Sequence, residues 1–443
     1  MEARPCQVKA QLRPLGRPAV STLYNCALRY TRRASHNTYK YAVRSAILLI
    51  FLLNASFYVV HVITHEIVCT AMFIFYQCYF RAEYGLEEEK KEATVDGSPR
   101  KRQITRVMGV NFAPASTPLR RRVQTFCVTL CSFSFLFSGP LFTMLVIYTL
   151  FTRLYWLTLV YVAWCVYDRS THEQGGHRIN WYRRWTFWKK VAEYFPTRLE
   201  KTTDLPTDRN YVFGYHPHGI MAAGSFINFA TEATGFSKLF PGISPHLMTL
   251  TMNFYFPFYR DLILGLGVVS VTRKSLNWIL KNKGVGNAAI IVVGGAQEAL
   301  DAHRNSDVTL TLTSRKGFVK IALQNGADLV PVFSFGENDV YQQAANPPGS
   351  RLRDIQERIK RVIGFSPPLF HGRGLLQYTW GYAPYRARIT TVVGAPIAVT
   401  KVPNPTSEQV DELHAKYVAA LKELFETHKA SAGCDPQLKL TIY

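Results

Sequence analysis

Two histidines flank a proline in Tyr215-His216-Pro217-His218-Gly219, directly after the apolar run 211–215. An imidazole with an unperturbed pKa of ~6.5 is largely neutral near pH 7. It can accept a proton from an alcohol as that oxygen attacks a carbonyl. Pro217 biases His216 towards an extended backbone. In extended chain, residues i and i+2 point to one side, so both rings are expected to face one cleft. Gly219 permits close approach of backbone or substrate. Residues 220–233 read as a following helix, whose first N–H groups would meet a developing oxyanion. A pair of hydrogen-bonded structural histidines is the competing reading, and the strand-to-helix position favours chemistry over it.

A second candidate stands at the end of the apolar run 289–293, in Val293-Gly294-Gly295-Ala296-Gln297-Glu298. Glu298 is placed to orient an imidazole and stabilise its protonated form, the role of a carboxylate in hydrolytic triads. A surface Glu opening a helix is the bland alternative. Phe335-Gly336-Glu337 and His371-Gly372-Arg373-Gly374 carry glycine at strand or loop ends, where backbone lies beside something bound or simply turns. Other motifs fail. Gly284-Val285-Gly286 precedes its strand, so the dinucleotide fingerprint does not apply, and there is no P-loop. Ser334 lacks the first glycine of a nucleophile elbow. His61, His65 and Glu66 stand in the order HxxxHE, not HExxH, and no CxxC occurs among the eight cysteines, so neither a metal nor a thiol redox site is expected.

The elements that must position these residues belong to a chain of 443 residues with 52 Lys plus Arg against 30 Asp plus Glu, a formal charge of +22. Charged residues make up only 19% and aromatics reach 13%, which excludes disorder and argues against a nucleic-acid binder. The positive charge accompanies long apolar runs, as at an anionic membrane surface. Residues 1–45 read as a basic disordered arm, with nine cations against Glu2. Residues 46–80 form an apolar membrane segment, either one long helix or a re-entrant hairpin. Residues 81–122 are a polar linker ending in Arg120, Arg121 and Arg122. The uncharged stretches 123–152 and 154–167 follow, broken at Gly139-Pro140. With basic residues on both sides (Arg169, Arg178, Arg183, Arg184, Lys189 and Lys190 after it), 123–167 reads as a membrane hairpin with both ends in the cytosol. Trp181, Trp185 and Trp188 recur at i, i+4, i+7 among cations, the pattern of an interfacial helix near 180–190.

From about residue 205 the texture is α/β. Strand-like runs at 211–215, 289–293, 329–335 and 389–393 alternate with helix-like runs at 274–283, 315–324 and 350–363, arguing for a mainly parallel sheet. A last helix opens with Thr406 and Gln409 as a capping box and carries Val410, Leu413, Tyr417, Leu421, Leu424 and Phe425 on one face. Residues 168–443 are thus expected to form a cytosol-facing domain behind the hairpin.

The ordered series Tyr194-Phe195-Pro196, His216-Pro217-His218-Gly219, Phe240-Pro241-Gly242, Arg315-Lys316-Gly317-Phe318, 331–337 and His371-Gly372-Arg373-Gly374 resembles the type 2 diacylglycerol acyltransferase family. The likeness runs from about Arg120 onwards; residues 1–110 depart from it. It implies an α/β acyltransferase domain behind a membrane hairpin, working at the endoplasmic reticulum and on lipid droplets. The implied partners are acyl-CoA, diacylglycerol or monoacylglycerol and membrane lipid, with no nucleic acid. A homo-oligomer is compatible with this reading. Acyl-CoA is a co-substrate, and no cofactor or metal is expected. A more distant similarity is to the glycerol-phosphate acyltransferases, whose motif is His, four residues, Asp. Here Met221 occupies the Asp position counted from His216, so Glu298 is the expected partner. The expected reaction is attack of an acylglycerol hydroxyl on the acyl thioester, with His216 or His218 as base. Arg315, Lys316 and Arg373 are candidates for contact with the CoA phosphates. The alternatives are a monoacylglycerol or long-chain-alcohol acceptor, or a non-catalytic lipid-droplet protein.

Overall fold

In Tyr211–His216 (β2) the side chains alternate across an extended strand. Tyr211, Phe213 and Tyr215 fall on one face, and Val212, Gly214 and His216 on the other. All six residues are buried, which fits a central parallel strand covered on both sides. The computed structural model of the chain describes residues 105–107, 109–114, 116–363 and 368–443. The expected arm 1–45, the apolar segment 46–80 and residues 81–104 of the linker 81–122 lie outside the described residues.

The sheet has seven strands: Arg198–Lys201 (β1), β2, Ser244–Thr249 (β3), Val269–Ser270 (β4), Asn287–Val292 (β5), Asp328–Phe335 (β6) and Thr390–Val393 (β7). Their spatial order is β1-β7-β6-β2-β5-β3-β4. Neighbours run parallel except β6 and β7, where Thr390 lies opposite Phe335, so the sheet is mixed. One face packs on helices Arg273–Asn282, Gly317–Asn325 and Ser407–His428, through Leu276, Ile279, Val319, Ala322 and Leu421. The opposite face packs on Phe229, Tyr259, Ile263 and Trp188. The helix Ser407–His428 begins as its sequence dictates: Thr406 Oγ1 accepts the Gln409 N–H and Gln409 Oε1 accepts the Thr406 N–H.

Ahead of the sheet stands α1 (Leu119–Leu150), whose 32 residues make a rod of ~48 Å. Residues 151–154 turn the chain into α2 (Tyr155–Tyr167), and Thr149 and Thr158 join their hydroxyls across the turn at 2.6 Å. Only α1, among the described residues, is long and apolar enough to cross a membrane. Both helices and the turn between them leave apolar side chains exposed, among them Leu141, Leu145, Phe151, Trp156 and Val160. The base of α2 is fastened to the domain: Arg260 donates to Asp168 Oδ2 at 2.8 Å, and the Tyr161 hydroxyl donates to Asp261 at 2.5 Å.

The tryptophan stripe is not one helix. A single turn, Asn180–Arg183, ends before Trp185, which caps the separate helix α3 (Thr186–Tyr194). Trp181 and Trp185 stay exposed, but Trp188 is buried and donates its indole N–H to the Tyr182 carbonyl at 2.8 Å. Arg183, expected among the surface cations, is fully buried. Its guanidinium donates to the carbonyls of Ala230 at 2.7 Å, Leu266 at 2.6 Å and Phe229 at 3.0 Å, and to Glu232 at 3.3 Å. The spacing predicts one interfacial helix, but the chain breaks between Arg183 and Thr186, and tertiary demand for a donor at these carbonyls draws one cation inward.

Candidate active site

Three adjacent parallel strands, β5, β2 and β6, deliver their following loops to one edge of the sheet, where ligands of open α/β sheets bind. From β2 comes the histidine pair, from β5 the short helix Gly295–Ala299 with Glu298, and from β6 the turn with Glu337.

The two imidazoles have different surroundings. β2 ends at His216, so the alternation expected to carry both rings to one side stops there. His216 is fully buried on the face of the helix Ser407–His428, with Nε2 3.0 Å from the Tyr417 hydroxyl. Tyr417 gives its one proton to the Gly214 carbonyl at 3.0 Å, so His216 Nε2 carries hydrogen and donates to it. Only glycine fits at 214, because a Cβ there would stand 2.0 Å from the Tyr417 hydroxyl. Burial pushes the His216 pKa down to about 3, which holds the ring neutral.

His218 is half-buried, and its Nδ1 lies 2.9 Å from the Gly219 carbonyl. A carbonyl only accepts, so Nδ1 holds the proton and Nε2 keeps a lone pair. Burial lowers the pKa of this ring too, against the Gly219 bond, which raises it.

Glu298 is buried, and it reaches the motif through the backbone and not through an imidazole. One carboxylate oxygen accepts the His218 N–H at 2.9 Å and the other accepts the Thr311 N–H at 2.9 Å. Burial pushes its pKa up to about 7, against the pull of these two donors. Glu298 therefore sets where His218 stands.

Sequence reasoning did not assign roles to Tyr417 and Glu337. Tyr417 was read as part of an apolar face, and the glycine inside β2 was the one signal that something approaches there closely. Glu337 is fully buried and accepts the Tyr215 hydroxyl at 2.8 Å and the Gly224 N–H at 3.0 Å. Burial pushes its pKa up to about 7 as well. It also backs Gly219, whose φ of +58° is a left-handed conformation and where a Cβ would stand 2.8 Å from Glu337 Cγ. The expected helix 220–233 is shorter, Ala223–Ser225 running into a π-turn at Phe226–Ala230. The Gly224 N–H at its start, a candidate for the oxyanion, is already taken by Glu337. The glycines at 336 and 372 lie against the chain itself: a Cβ would meet Arg388 O and Ala383 O, each at 2.0 Å.

The three candidate cations do not gather at one place. Arg315 is exposed just before the helix Gly317–Asn325, and Lys316 pairs with Asp411 at 2.7 Å. Arg373 lines a separate cavity together with Arg121, Arg122 and Arg386.

Between α1, α3, Tyr259–Gly265 (α4) and the π-turn lies a cavity of 420 Å³ lined by Cys131, Phe135, Trp188, Phe226 and Ile263. It extends to Met221, three residues past His218. Its walls are almost wholly apolar, the lining expected for hydrocarbon.

The family model for diacylglycerol acyltransferase matches residues 147–443. The chain is 47% identical over 326 residues to 2-acylglycerol O-acyltransferase 1 of Bos taurus, covering 74% of this chain and 97% of that protein. It is likewise 47% identical over 326 residues to diacylglycerol O-acyltransferase 2 of Danio rerio, covering 73% and 90%. The crystal structure of the 1-acyl-sn-glycerophosphate acyltransferase from Thermotoga maritima aligns over 69% of this chain and 97% of its own, at a TM-score of 0.31 and 12% identity, too slight a likeness to bear on the site.

Proposed function

Because the chain belongs to the diacylglycerol acyltransferase family and is an acyltransferase, we propose that it moves a fatty acyl group from coenzyme A to the free hydroxyl of diacylglycerol, forming triacylglycerol, with His218 as general base. The observation that carries this reading is the Nδ1 bond of His218 to Gly219, which leaves Nε2 with a lone pair on a ring that is not sealed off. The acceptor oxygen gives its proton to Nε2 as it bonds to the thioester carbon. The tetrahedral adduct then collapses, the carbon–sulfur bond breaks, and CoA leaves as thiolate, to be reprotonated as the thiol. His216, Tyr417, Glu298 and Glu337 hold the turn in place. The apolar cavity ending at Met221 suits an acyl chain beside that base.

A monoacylglycerol acceptor is the second reading, favoured by the 47% identity to 2-acylglycerol O-acyltransferase 1, which equals that to diacylglycerol O-acyltransferase 2. The measurement that decides is CoA release from oleoyl-CoA by the purified chain in phosphatidylcholine nanodiscs, with diacylglycerol, monoacylglycerol and a long-chain alcohol offered in turn. Turnover should be greatest with diacylglycerol. A several-fold preference for monoacylglycerol would replace the first reading with the second, and no release with any acceptor would end both.

We place the enzyme in the endoplasmic reticulum membrane, and at lipid droplets grown from it, with α1 and α2 in the bilayer and the sheet in the cytosol. Arginines stand at both ends of the helix pair (Arg120, Arg121, Arg122, then Arg169, Arg178 and Arg184), which favours two cytosolic ends. The exposed Trp181 and Trp185 extend the apolar surface at its base. Ser116→Cys and Arg169→Cys should therefore each add one mass tag to the parent chain when sealed microsomes are treated with an impermeant maleimide. Tagging of either only after detergent would contradict this topology.

A further inference from the structure

The first turn of α1 contains Arg120, Arg121 and Arg122 and no acidic residue, although the partial positive charge of a helix N-terminus disfavours cations there. Arg120 is neutralised by Glu193 at 3.1 Å. Arg121 and Arg122 line a cavity of 310 Å³ with Arg373 and Arg386, Arg122 donating to the carbonyls of Thr117 at 3.2 Å and Pro114 at 3.3 Å, and the described residues that line it include no carboxylate. Two of these guanidiniums are set in place by rings and neutral groups. Arg373 lies 4.3 Å over Tyr378, and Arg386 lies 4.3 Å over Tyr194 while donating to Gln124 Oε1 at 2.8 Å. Such contacts fix the plane of a guanidinium without cancelling its charge. Burial, with the charges of Arg121 and Arg373, depresses the Arg386 pKa. Four like charges around one concavity repel each other unless an anion sits among them, and the planar forks of arginine match phosphate oxygens in pairs.

The neighbouring cavity says what else the anion carries. Thr125 and Phe126 of α1 line the arginine cavity, and Val128, Leu130 and Cys131 line the 420 Å³ apolar one. Val128 stands three positions after Thr125 on the helix, ~4.5 Å of rise. A second link runs along the backbone: the Arg373 N–H donates to the Ala383 carbonyl at 2.7 Å, and the next residue, Pro384, lines the apolar cavity. We propose that the Arg121, Arg122, Arg373 and Arg386 cavity binds the phosphate groups of an amphiphile whose hydrocarbon lies in the adjoining apolar cavity. That chemistry belongs to acyl-CoA, an assignment that rests on the acyl-transfer reading, and to a phospholipid with a phosphate monoester headgroup.

The test uses the full chain in phosphatidylcholine nanodiscs, with Arg121→Gln and Arg121→Gln/Arg373→Gln as variants and Arg121→Lys as the charge-retaining control. Binding of radiolabelled CoA is measured by filtration without turnover, and retention of phosphatidic acid is measured on nanodiscs that contain it. Loss of charge-assisted hydrogen bonds should weaken CoA binding about 10- to 100-fold in the double variant and raise KM for oleoyl-CoA in step, with kcat within about twofold. The lysine control should lose less. CoA binding unchanged but phosphatidic acid retention lost would assign the same cavity to the lipid headgroup. Both ligands held as in the parent chain would overturn the proposal. CoA bound by the parent chain but no acyl transfer would leave this site standing and end the acyl-transfer reading. Arg121 is exposed on a helix surface, so the single variant still reports if the double variant fails to fold.

Discussion

His218→Ala should lower kcat by roughly 10²- to 10⁴-fold, the usual contribution of a positioned general base. KM for oleoyl-CoA and the thermal midpoint should change little, because the residue is only half-buried and its ring bonds the carbonyl of its own neighbour. The pH profile adds an independent check. The base must be neutral to act, so activity falls as pH drops through the pKa of His218. Burial lowers that pKa, so the acid limb of kcat/KM should lie below the ~6.5 of a free imidazole. His216→Ala is a different experiment: it leaves the Tyr417 hydroxyl without its imidazole partner inside the core, and its loss of activity should track loss of folded protein. Wild-type kcat in His218→Ala, or an acid limb above ~6.5, would remove His218 from the reaction.

Arg183→Met should destabilise the fold by roughly 3–5 kcal/mol, the range for removing one partner from a buried charged network. The carbonyls of Ala230, Leu266 and Phe229 would lose the guanidinium at once, while Glu232 would lose one donor and keep the Ser237 N–H and Arg178. The thermal midpoint should fall by about ten degrees or more. Activity of the protein that remains folded should be close to that of the parent chain, since Arg183 touches none of the groups placed at the base. An unchanged midpoint would mean that the carbonyls find other donors.

Periodicity carried the sequence reading where one physical demand dominated. The four central strands and the helices Arg273–Asn282, Arg351–Ile363 and Ser407–His428 form near where apolar spacing and capping residues put them, because each must bury one face. The parallel order also followed from alternating strand and helix, but the antiparallel β6–β7 pair did not. The site was legible as a set of strand ends and illegible as a network. Nothing in local sequence tells that Glu298 takes the His218 backbone N–H, 80 residues away, or that Arg183 turns inward to reach carbonyls on two separate segments. Such bonds answer unsatisfied backbone groups that exist only after the elements have packed.

The bond between His216 and Tyr417 joins residues 201 positions apart. A ribosome adds ~5–20 residues each second, so the histidine is made roughly 10–40 s before its partner exists. Through that interval β2 lacks the helix that covers half of it, and the apolar α1, made earlier still, lacks the sheet domain it packs against. The chain therefore stays half-assembled until its last helix is made, and whatever shields that uncovered face during synthesis governs how much of it becomes active.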